Sequence, residues 1–570
     1  MINKISFKNY KAFVCGEIEI KPITILLGAN SVGKSSLMQL LLMLQQTATS
    51  EKGYKSALKL HGGFVSMGEG LNLFRKKDVS KVLTISLDFQ SDRLYKELKS
   101  NYFRLFRREF LDFIILFVRF FGKKKGKLEA LTLKTFPHLR TGIMHINDDD
   151  KKISNELFHE YVNLSSEEFS KIDKKKLQSI YSGNFPFYGF RGQRKRIGLD
   201  YLKILVDKKD EYLVTVDFLE ELTTNIKKGG QFNISYDIVI EKKIMILKKV
   251  SFASGKKVFL NIEFGSGSDG DIVMKSIDSK YLKPEDITEP MIKSLQSIFV
   301  HPRNIFSFVA DIDSNEEKKL EQSPFANTIH CILNLFNETV SANFKNDNIN
   351  YVSPLRAHPK RYYFLDKANI NAYVNTLDGD AITETLKENS HLRKQVNEWL
   401  ERFQLNVSVE KVEDFIHRLR VKQNDLDLDI TDVGFGISQV LPVIIQGFLS
   451  HENSLTLIEQ PEIHLHPKMQ ADLADLFIDI VIPKKTKKAS KYLLIETHSE
   501  YLLKRLRRRI SDGSLSQKNV AIYLINPEKE GSGAIIKKIS IGQYGEFEWP
   551  VDFYGGELLN DTIEFLKNQK

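Results

Sequence analysis

Two glycines, a lysine and a serine in this chain stand at the spacing of a phosphate-binding loop. Residues 28–35 read GANSVGKS and match the pattern G-x-x-x-x-G-K-[ST]. Gly28 and Gly33 let the backbone close around phosphate oxygens, and the amides of the loop and of the following helix form an anion cradle. Lys34 is expected to neutralise the β- and γ-phosphates of a nucleotide, and the Ser35 hydroxyl to bind Mg²⁺. Further candidate contacts in the loop are Asn30, Ser31 and Ser36.

The segments on both sides of this loop have the character that the motif requires. Residues 23–27 (ITILL) form a short apolar run that predicts a buried strand. Residues 35–46 (SSLMQLLLMLQQ) are apolar on nearly all sides, which indicates a helix buried in the core. A strand, a loop and a helix in this order distinguish the motif from a chance glycine-rich segment. We therefore predict that the loop binds ATP with magnesium.

A phosphate loop needs an acidic side chain on a neighbouring strand to hold the magnesium ion. Residues 455–459 (LTLIE) predict a buried strand that ends at Glu459, and ligands of α/β sheets gather at the carboxyl ends of strands. We therefore expect Glu459 to bind Mg²⁺. A further predicted strand, 492–496, is followed by Thr-His-Ser, which places His498 at a strand end as well. Between the loop and these strands, residues 434–439 (GFGISQ) open an apolar helix.

The order of these motifs resembles the ABC-type ATPases of the SMC, RecF and OLD branch. The chain resembles bacterial ATPases that carry the EQPEIHLHP motif, at 459–467 here, and the ETHSE motif, at 496–500. This resemblance suggests an anti-phage defence ATPase, similar to those of the Septu type (PtuA-like) and to retron-associated ATPases. The resemblance covers residues 1–90 and 350–570. It implies an α/β fold, an ABC-type P-loop ATPase head with a mixed sheet and an antiparallel β lobe, which a mainly helical basic insertion interrupts.

The family resemblance also implies partners. Two heads pair, as a dimer or a higher oligomer, and the signature segment of one head closes over the nucleotide of the other. That segment offers four candidate contacts, Gly434, Gly436, Ser438 and Gln439, of which Gly436 and Ser438 are the candidates for the γ-phosphate. The resemblance and the strand-end position together assign His498 to the γ-phosphate, and a histidine satisfied in the core is the alternative. Such ATPases usually work with a separate nuclease subunit in anti-phage defence.

Two departures from the family pattern affect the expected chemistry. The usual Asp-Glu pair at the end of the second strand is Glu459-Gln460 here, and the signature reads Phe-Gly-Ile-Ser-Gln instead of Leu-Ser-Gly-Gly-Gln. Because an amide accepts no proton, Gln460 can only orient the attacking water, as a glutamine does in small GTPases. Glu462 is the alternative base. We therefore predict slow ATP hydrolysis, with nucleotide occupancy acting as the switch.

Composition divides the chain into five predicted segments. The N-terminal part of the ATPase head is expected at 1–90, a helical basic insertion at 91–230, an antiparallel β segment at 231–280, a helical segment at 281–345 and the C-terminal part of the head at 346–570. The insertion carries basic clusters at 123–125, 174–176 and 191–196, and the net charge of the chain is +10. This charge favours a polyanion, so DNA or RNA is a candidate partner of the insertion, and docking of an effector is the alternative.

The composition also excludes several classes of protein. Apolar residues make up 42% of the chain, which is enough to bury a core and excludes a disordered protein. The two cysteines, Cys15 and Cys331, exclude a disulfide framework or a cysteine-based zinc module and favour the reducing cytoplasm. The most apolar stretch, 110–121, contains Asp112 and Arg119 and is too short for a bilayer, so we expect no membrane partner. We expect no removable leader, because strand-like sequence begins almost at the first residue.

Three further patterns admit more than one interpretation. A metal cluster of Glu462, His464 and His466 is one hypothesis, but we favour a role of these residues in shaping the loop. The D-x-D spacing at 425–429 is used for magnesium in nucleases, but the alternation favours a half-buried strand with a wet acidic face. The basic run 504–509 on a predicted helix is either a nucleic-acid contact or a solvated or partner face.

The chain shows no nuclease pattern of its own. OLD proteins join a similar head to a C-terminal Toprim nuclease, but residues 499–570 are too few for such a domain and contain no D-x-D. We therefore expect any nuclease centre on another chain. The alternatives to a defence ATPase are a RecF- or SMC-like DNA-repair ATPase and a non-hydrolysing scaffold with a structural nucleotide. Residues 351–356 (YVSPLR) and 378–380 (DGD) also look like landmarks of the family, without assigned chemistry.

Overall fold

The structure is a computed structural model of the 570-residue chain. It describes residues 2–50, 56–101, 126–137, 155–170, 207–267, 271–299, 304–309, 323–345, 347–364, 379–483, 488–527 and 533–548, with the single residues 564 and 567. The predicted basic clusters at 123–125, 174–176 and 191–196, the apolar stretch 110–121 and Asp378 lie outside the described residues. In the ranges that are described, no helix has the length and hydropathy needed to cross a membrane.

Runs of strands and runs of helices follow one another along the described chain, and single strands alternate with single α-helices between residues 435 and 527. The strands are β1 (Ile2–Tyr10), β2 (Phe13–Glu19), β3 (Ile23–Gly28), β4 (Leu83–Phe89), β5 (Phe232–Glu241), β6 (Ile244–Ser254), β7 (Lys257–Ser266), β8 (Ile272–Asp278), β9 (Ile349–Val352), β10 (Tyr363–Phe364), β11 (Leu405–Lys411), β12 (Ile416–Gln423), β13 (Leu426–Asp429), β14 (Leu455–Glu459), β15 (Tyr492–Glu496), β16 (Val520–Pro527) and β17 (Ala534–Ile539). The α-helices are α1 (Lys34–Ala48), α2 (Asp92–Lys96), α3 (Lys127–Thr135), α4 (Asn155–Ser170), α5 (Lys209–Asn225), α6 (Glu289–Gln296), α7 (Pro324–Ala342), α8 (Gly379–Glu388), α9 (Ser390–Leu400), α10 (Phe435–Leu449), α11 (Pro467–Val481) and α12 (Glu500–Ser511).

The chain forms two compact units. The first unit comprises Met1–Phe89, Asp237–Ile246 and Val340–Lys570, and the second comprises Gln90–Tyr236 and Leu247–Thr339. Strands β5 and β6 therefore contribute residues to both units. Every candidate site residue from the sequence lies in the first unit. The division of the sequence into five segments by composition stays a prediction.

The central sheet of the first unit holds the phosphate loop and the acidic strand ends. Its strands run in the order β4–β1–β2–β17–β16–β3–β15–β14–β9. β16, β3, β15, β14 and β9 pair in parallel, whereas β1 pairs antiparallel with both β2 and β4. Because parallel strands end at the same edge of a sheet, Gly28, Glu459 and Glu496 meet at one edge. This mixed sheet confirms the predicted α/β fold class.

The parallel strands are buried because helices α10, α11 and α12 share one core with them. Ile23, Ile25 and Leu27 of β3 belong to the same apolar cluster as side chains of the three helices, such as Ile444, Phe477 and Leu503. β3 and β14 are buried at every position, as expected for central parallel strands, which read as continuous apolar runs. Helix α1 is also mostly buried, as its nearly all-apolar sequence predicted. The strand ends that form the site are therefore held by a continuous core.

A second, antiparallel sheet lies in the first unit. β12 lies between β10 and β11, and β13 also pairs with β12. The prediction of a strand at the D-x-D segment is confirmed, because β13 covers its last four residues. The predicted wet acidic face is wrong at Asp429, which is buried, whereas Leu426 is exposed. The carboxylates of Asp427 and Asp429 each lie 3.3 Å from the guanidinium of Arg420 on β12. These carboxylates thus form ion pairs within the sheet.

The basic run 504–509 lies on α12 and is largely engaged within the chain. Arg505 Nη1 and Arg509 Nε each lie 2.6 Å from a carboxylate oxygen of Asp475 on α11, and Asp475 is 9% exposed. Arg507 Nε donates to a backbone carbonyl at 3.1 Å. The two pairs with Asp475 join α12 to α11, and Arg507 joins α12 to Gly545, so these contacts favour a structural role of the run over a nucleic-acid contact.

The second unit combines an antiparallel sheet with helices. Its strand order is β8–β7–β6–β5. The ring of Phe336 on α7 lies 5.2 Å from that of Phe252 and 5.7 Å from those of Phe232 and Phe259. Edge-to-face and tilted pairs at such distances stabilise a core beyond the area that they bury. Aromatic residues, which are frequent in this part of the sequence, therefore form a local core in the second unit.

Candidate functional site

The backbone of the phosphate loop requires glycine at both glycine positions of the motif. Gly28 has a φ of 144°, and a Cβ atom there would lie 2.2 Å from the carbonyl oxygen of Ile525. Gly33 has a φ of 110°, and its Cβ would lie 2.8 Å from the ring of Phe13. Side chains are excluded at both positions by the left-handed conformation as well as by contact. The loop between β3 and α1 therefore has the shape that the motif predicts.

Lys34 is buried at the start of α1 with its ammonium group turned to the loop. Its Nζ donates to the carbonyl oxygens of Gly28 at 3.0 Å and Ala29 at 2.7 Å, and the side chain is 3% exposed. Nζ also lies 3.7 Å from Oε1 of Glu496. Burial lowers the pKa of Lys34, and the charge of Glu496 opposes this shift. The ammonium is thus placed where the loop backbone would bind phosphates.

Glu496 is an acidic member of the site that sequence reasoning missed. The Ser35 hydroxyl donates to Oε2 of Glu496 at 3.0 Å, and Glu496 is 4% exposed. In the parallel register of β14 and β15, Glu496 is directly opposite Glu459. The sequence offered a signal, because Glu496 ends a predicted strand just as Glu459 does. The phosphate loop therefore faces two carboxylates, where the motif predicted one.

Glu459 is held by a tyrosine and by the charges around it. The Tyr351 hydroxyl donates to Oε1 of Glu459 at 2.9 Å. Burial, and next to it the negative charge of Glu496, raise the pKa of Glu459 to about 7. Burial also raises the pKa of Glu496. Two buried carboxylates and the Ser35 hydroxyl are hard oxygen donors, so these three residues fit a magnesium ion.

A cavity of about 380 Å³ opens over the phosphate loop. Its lining residues are Lys11, Ala12, Asn30, Ser31, Gly33, Lys34, Ser35, Ser36, Gln39, Gln460 and Glu496. The structure thus brings the predicted loop residues together with Gln460, which is more than four hundred positions away in sequence. Lys11 and Gln39 were not predicted, and Lys11 Nζ donates to Oε1 of Gln39 at 2.6 Å. Lys11 lies in the turn between β1 and β2, where no motif marked it.

Gln460 and Glu462 differ in their access to this cavity. Gln460 lines the cavity, and its backbone N–H donates to the carbonyl oxygen of Glu496 at 2.8 Å. Its φ of 44° is rare for a residue other than glycine, so the turn after β14 holds it in a strained conformation. Glu462 is buried, and its Oε1 accepts the backbone N–H of His498 at 2.6 Å. Glu462 thus fixes the backbone after β15.

The comparisons with known proteins identify the family. A family model described as an AAA ATPase domain matches residues 1–503, most of the chain. The chain belongs to the AAA ATPase domain family. A search of curated proteins found no match. A solved structure that is similar, the SMC head domain from Thermotoga maritima, is 6% identical, with 95% of this chain and 99% of that chain covered at a TM-score of 0.31. The family assignment rests on the sequence match.

The signature segment of this AAA ATPase packs against the loop that follows β14. A Cβ atom at Gly436 would lie 2.9 Å from the carbonyl oxygen of His464, so a larger residue would displace the start of α10. Ser438 and Gln439 are buried, whereas Gly434 is exposed. The signature residues are not among those that line the cavity. Their contact with a nucleotide on another head stays a prediction.

The histidines of the AAA ATPase domain take different positions. His498 follows β15 and is exposed, so the alternative of a histidine satisfied in the core is wrong. Partial burial of its ring lowers its pKa, and the charge of Lys34 acts in the same direction. His466 Nδ1 accepts the backbone N–H of Lys468 at 3.3 Å and caps α11. Among the residues that the structure describes, no group of three or more histidine, cysteine or acidic side chains is arranged to hold a metal. The capping contact favours the loop-shaping role.

The raised pKa of Glu459 predicts that, in magnesium-free buffer, this residue lowers the free energy of unfolding by an amount that depends on pH. Its pKa rises from 4.5 to about 7 on folding, so the folded state binds more protons between these values and the free energy of unfolding falls as the pH rises through them. Glu459→Gln removes this titration. We expect the variant to gain up to about 3 kcal/mol relative to the wild type between pH 5 and pH 8. Denaturant unfolding in EDTA at both pH values measures this difference.

The control for this comparison is Glu413→Gln, which changes an exposed glutamate in the turn before β12. Its unfolding free energy should follow that of the wild type at both pH values. Parallel pH profiles of Glu459→Gln and the wild type would contradict the raised pKa of Glu459.

Proposed function

We propose that this chain binds ATP with magnesium and hydrolyses it slowly, so that nucleotide occupancy acts as a switch. The observation that carries this proposal is the convergence of Lys34, Ser35, Glu496 and Gln460 on one cavity. Membership of an ATPase family supports the same function. The non-hydrolysing scaffold remains an outcome of the turnover experiment below.

Lys34 and Ser35 are the residues that we propose to meet the phosphates and the metal. The ammonium of Lys34 now hydrogen-bonds to neutral carbonyls, and anionic phosphate oxygens would be stronger acceptors. Ser35, Glu459 and Glu496 would hold magnesium, which supplies positive charge to the transferred phosphoryl group when bound. Gly28, Asn30, Ser31, Gly33 and Ser36 are the further proposed phosphate contacts, through the loop and the start of α1.

The proposed slow hydrolysis depends on Gln460, which lies beside the cavity. Gln460 lines it and can orient a water molecule, but its amide cannot accept the proton of that water. Oε1 of Glu462 accepts the backbone N–H of His498, and Glu462 is not among the residues that line the cavity, so we favour Gln460 over Glu462 as the residue that acts on the water. The exposed ring of His498 is the proposed contact to the γ-phosphate.

Replacement of Gln460 by glutamate places a carboxylate beside the cavity and tests the slow-hydrolysis proposal. We expect Gln460→Glu to raise the rate constant of the hydrolysis step by about 10²-fold or more, since general-base catalysis contributes that much, and Gln460→Ala to lower it. Single-turnover hydrolysis of radiolabelled ATP measures both changes. Gln423→Glu, at an exposed position that ends β12, is the control and should leave the rate unchanged.

Rapid wild-type turnover that Gln460→Ala leaves intact would contradict the role of Gln460. ATP binding without any hydrolysis, in the wild type and in Gln460→Glu alike, would support the scaffold function.

We further propose that two copies pair as ATPase heads and control a separate nuclease in the cytoplasm, in anti-phage defence. The support for this part is the resemblance carried by the motifs at 459–467 and 496–500. In a pair, Gly434, Gly436, Ser438 and Gln439 would face the nucleotide of the other head. The basic insertion is the proposed contact for DNA, RNA or the effector.

Purification of the tagged chain from phage-infected cells that carry its native neighbouring genes tests the partner. We expect a nuclease subunit to co-purify in a fixed ratio, identified by mass spectrometry, and the purified chain alone to leave DNA and RNA intact. Recovery without any nuclease, or degradation of nucleic acid by the chain alone, would contradict the proposal. A tagged unrelated ATPase from the same cells is the control for non-specific capture.

A further inference from the structure

The segment after β9 carries a buried arginine to which the proposed function gives no role. Arg356 is 6% exposed. Its Nη1 donates to the carbonyl oxygen of Gln439 at 3.1 Å, and its Nη2 donates to those of Glu459 at 3.0 Å and Gln460 at 3.1 Å. The guanidinium therefore spans the signature helix α10 and the turn at the end of β14.

The sheet topology explains why an arginine reaches this position. β9 pairs in parallel with β14, with Val352 opposite Ile458, so the chain leaves β9 beside the end of β14. Four residues later, Arg356 lies against that end and against the first turns of α10. A planar fork with donors in two directions suits this gap, whereas a lysine offers one compact charge.

The guanidinium of Arg356 is buried and remains positively charged. Burial lowers its pKa to about 10, and the charge of Glu462 opposes this shift, so the guanidinium stays charged at neutral pH. Backbone carbonyls accept its hydrogen bonds, and a buried charge without such partners would be strongly unfavourable. One guanidinium thus donates to the backbone carbonyls of Gln439, Glu459 and Gln460.

Tyr351, which lies on β9 itself, adds a second contact to the end of β14. Its hydroxyl holds the side chain of Glu459, while Arg356 holds the backbone carbonyl of the same residue. The two residues at the ends of the YVSPLR stretch therefore contact the side chain and the backbone of the proposed magnesium ligand. Sequence reasoning had assigned no chemistry to this stretch.

We propose that Arg356 is a positioning residue that couples the signature helix α10 to the turn carrying Gln460, so that a displacement of the helix displaces Gln460. This inference rests on the proposed ATPase function for its catalytic consequence. Its structural core, a mechanical link between α10 and the end of β14, holds without nucleotide. Gln460 lines the cavity and is the residue proposed to orient the water, so a shift of about 1 Å there would cost on the order of 10²-fold in rate.

A double-mutant cycle in turnover tests the catalytic consequence. Arg356→Met removes the donors and keeps an unbranched side chain. We expect it to keep the wild-type Kd for ATP within about threefold, because Lys34 and Ser35 are unchanged, and to lower single-turnover hydrolysis by about tenfold or more. In the Gln460→Ala background the same substitution should change the rate by less than about twofold. Equal losses in both backgrounds, or no loss in either, would overturn the coupling.

Hydrogen exchange of the nucleotide-free protein tests the link without any ATPase activity. Arg356→Met should increase amide exchange in 436–445 and in 459–465 together. Arg402→Met, which removes a half-exposed partner of Asp479 on α11, is the control and should change neither segment. An increase confined to one segment, or in neither, would overturn the link. Wild-type protein that fails to bind ATP would refute the proposed function and leave the exchange result readable.

Arg356→Lys provides a second variant for the case in which Arg356→Met does not fold. It keeps the charge and loses the fork, so exchange should rise in the same two segments by a smaller amount. Exchange and turnover at wild-type levels in Arg356→Lys would show that charge alone is enough and would overturn the proposed geometry.

Discussion

Two carboxylates and one ammonium group, buried side by side at the ends of parallel strands, are the constraint on which the site depends. Glu459 and Glu496 are opposite each other in the register of β14 and β15, and Lys34 lies 3.7 Å from Glu496. Groups of like charge at this depth are unfavourable unless a cation or a proton compensates them. One lysine faces two acids, so the cluster favours added positive charge, and magnesium would provide it.

This constraint also accounts for features around the cluster. An amide at Gln460 adds no third negative charge beside the two carboxylates, although it removes the usual base. Glu462 is buried nearby, but Arg356 contributes positive charge there and the backbone of His498 donates to its carboxylate. The turn after β14 therefore combines three features: a buried charge that is compensated, backbone strain at Gln460, and contact with helix α10.

The sequence predicts the part of the site that local pattern determines. The loop at 28–35, the buried strand before it, Glu459 at a strand end and the α/β class all follow from glycine spacing and apolar periodicity. Long-range register decides the rest. Glu496 becomes a neighbour of Ser35 only because β15 lies between β3 and β14, which no motif states. Lys11 reaches the cavity from a hairpin turn. Arg356 reaches the end of β14 because it follows β9, which pairs with β14. Both positions depend on the assembled sheet.

The most direct test of the central claim is calorimetric measurement of Mg²⁺·ATP binding to the purified chain and to Lys34→Met. Lys394→Met, which changes an exposed lysine on α9, is the matched control. We expect the wild type and Lys394→Met to bind one nucleotide per chain in the presence of magnesium, and Lys34→Met to lose at least about tenfold in affinity, or about 1.4 kcal/mol. Wild-type protein that binds no nucleoside triphosphate, or equal affinity in folded Lys34→Met, would contradict it.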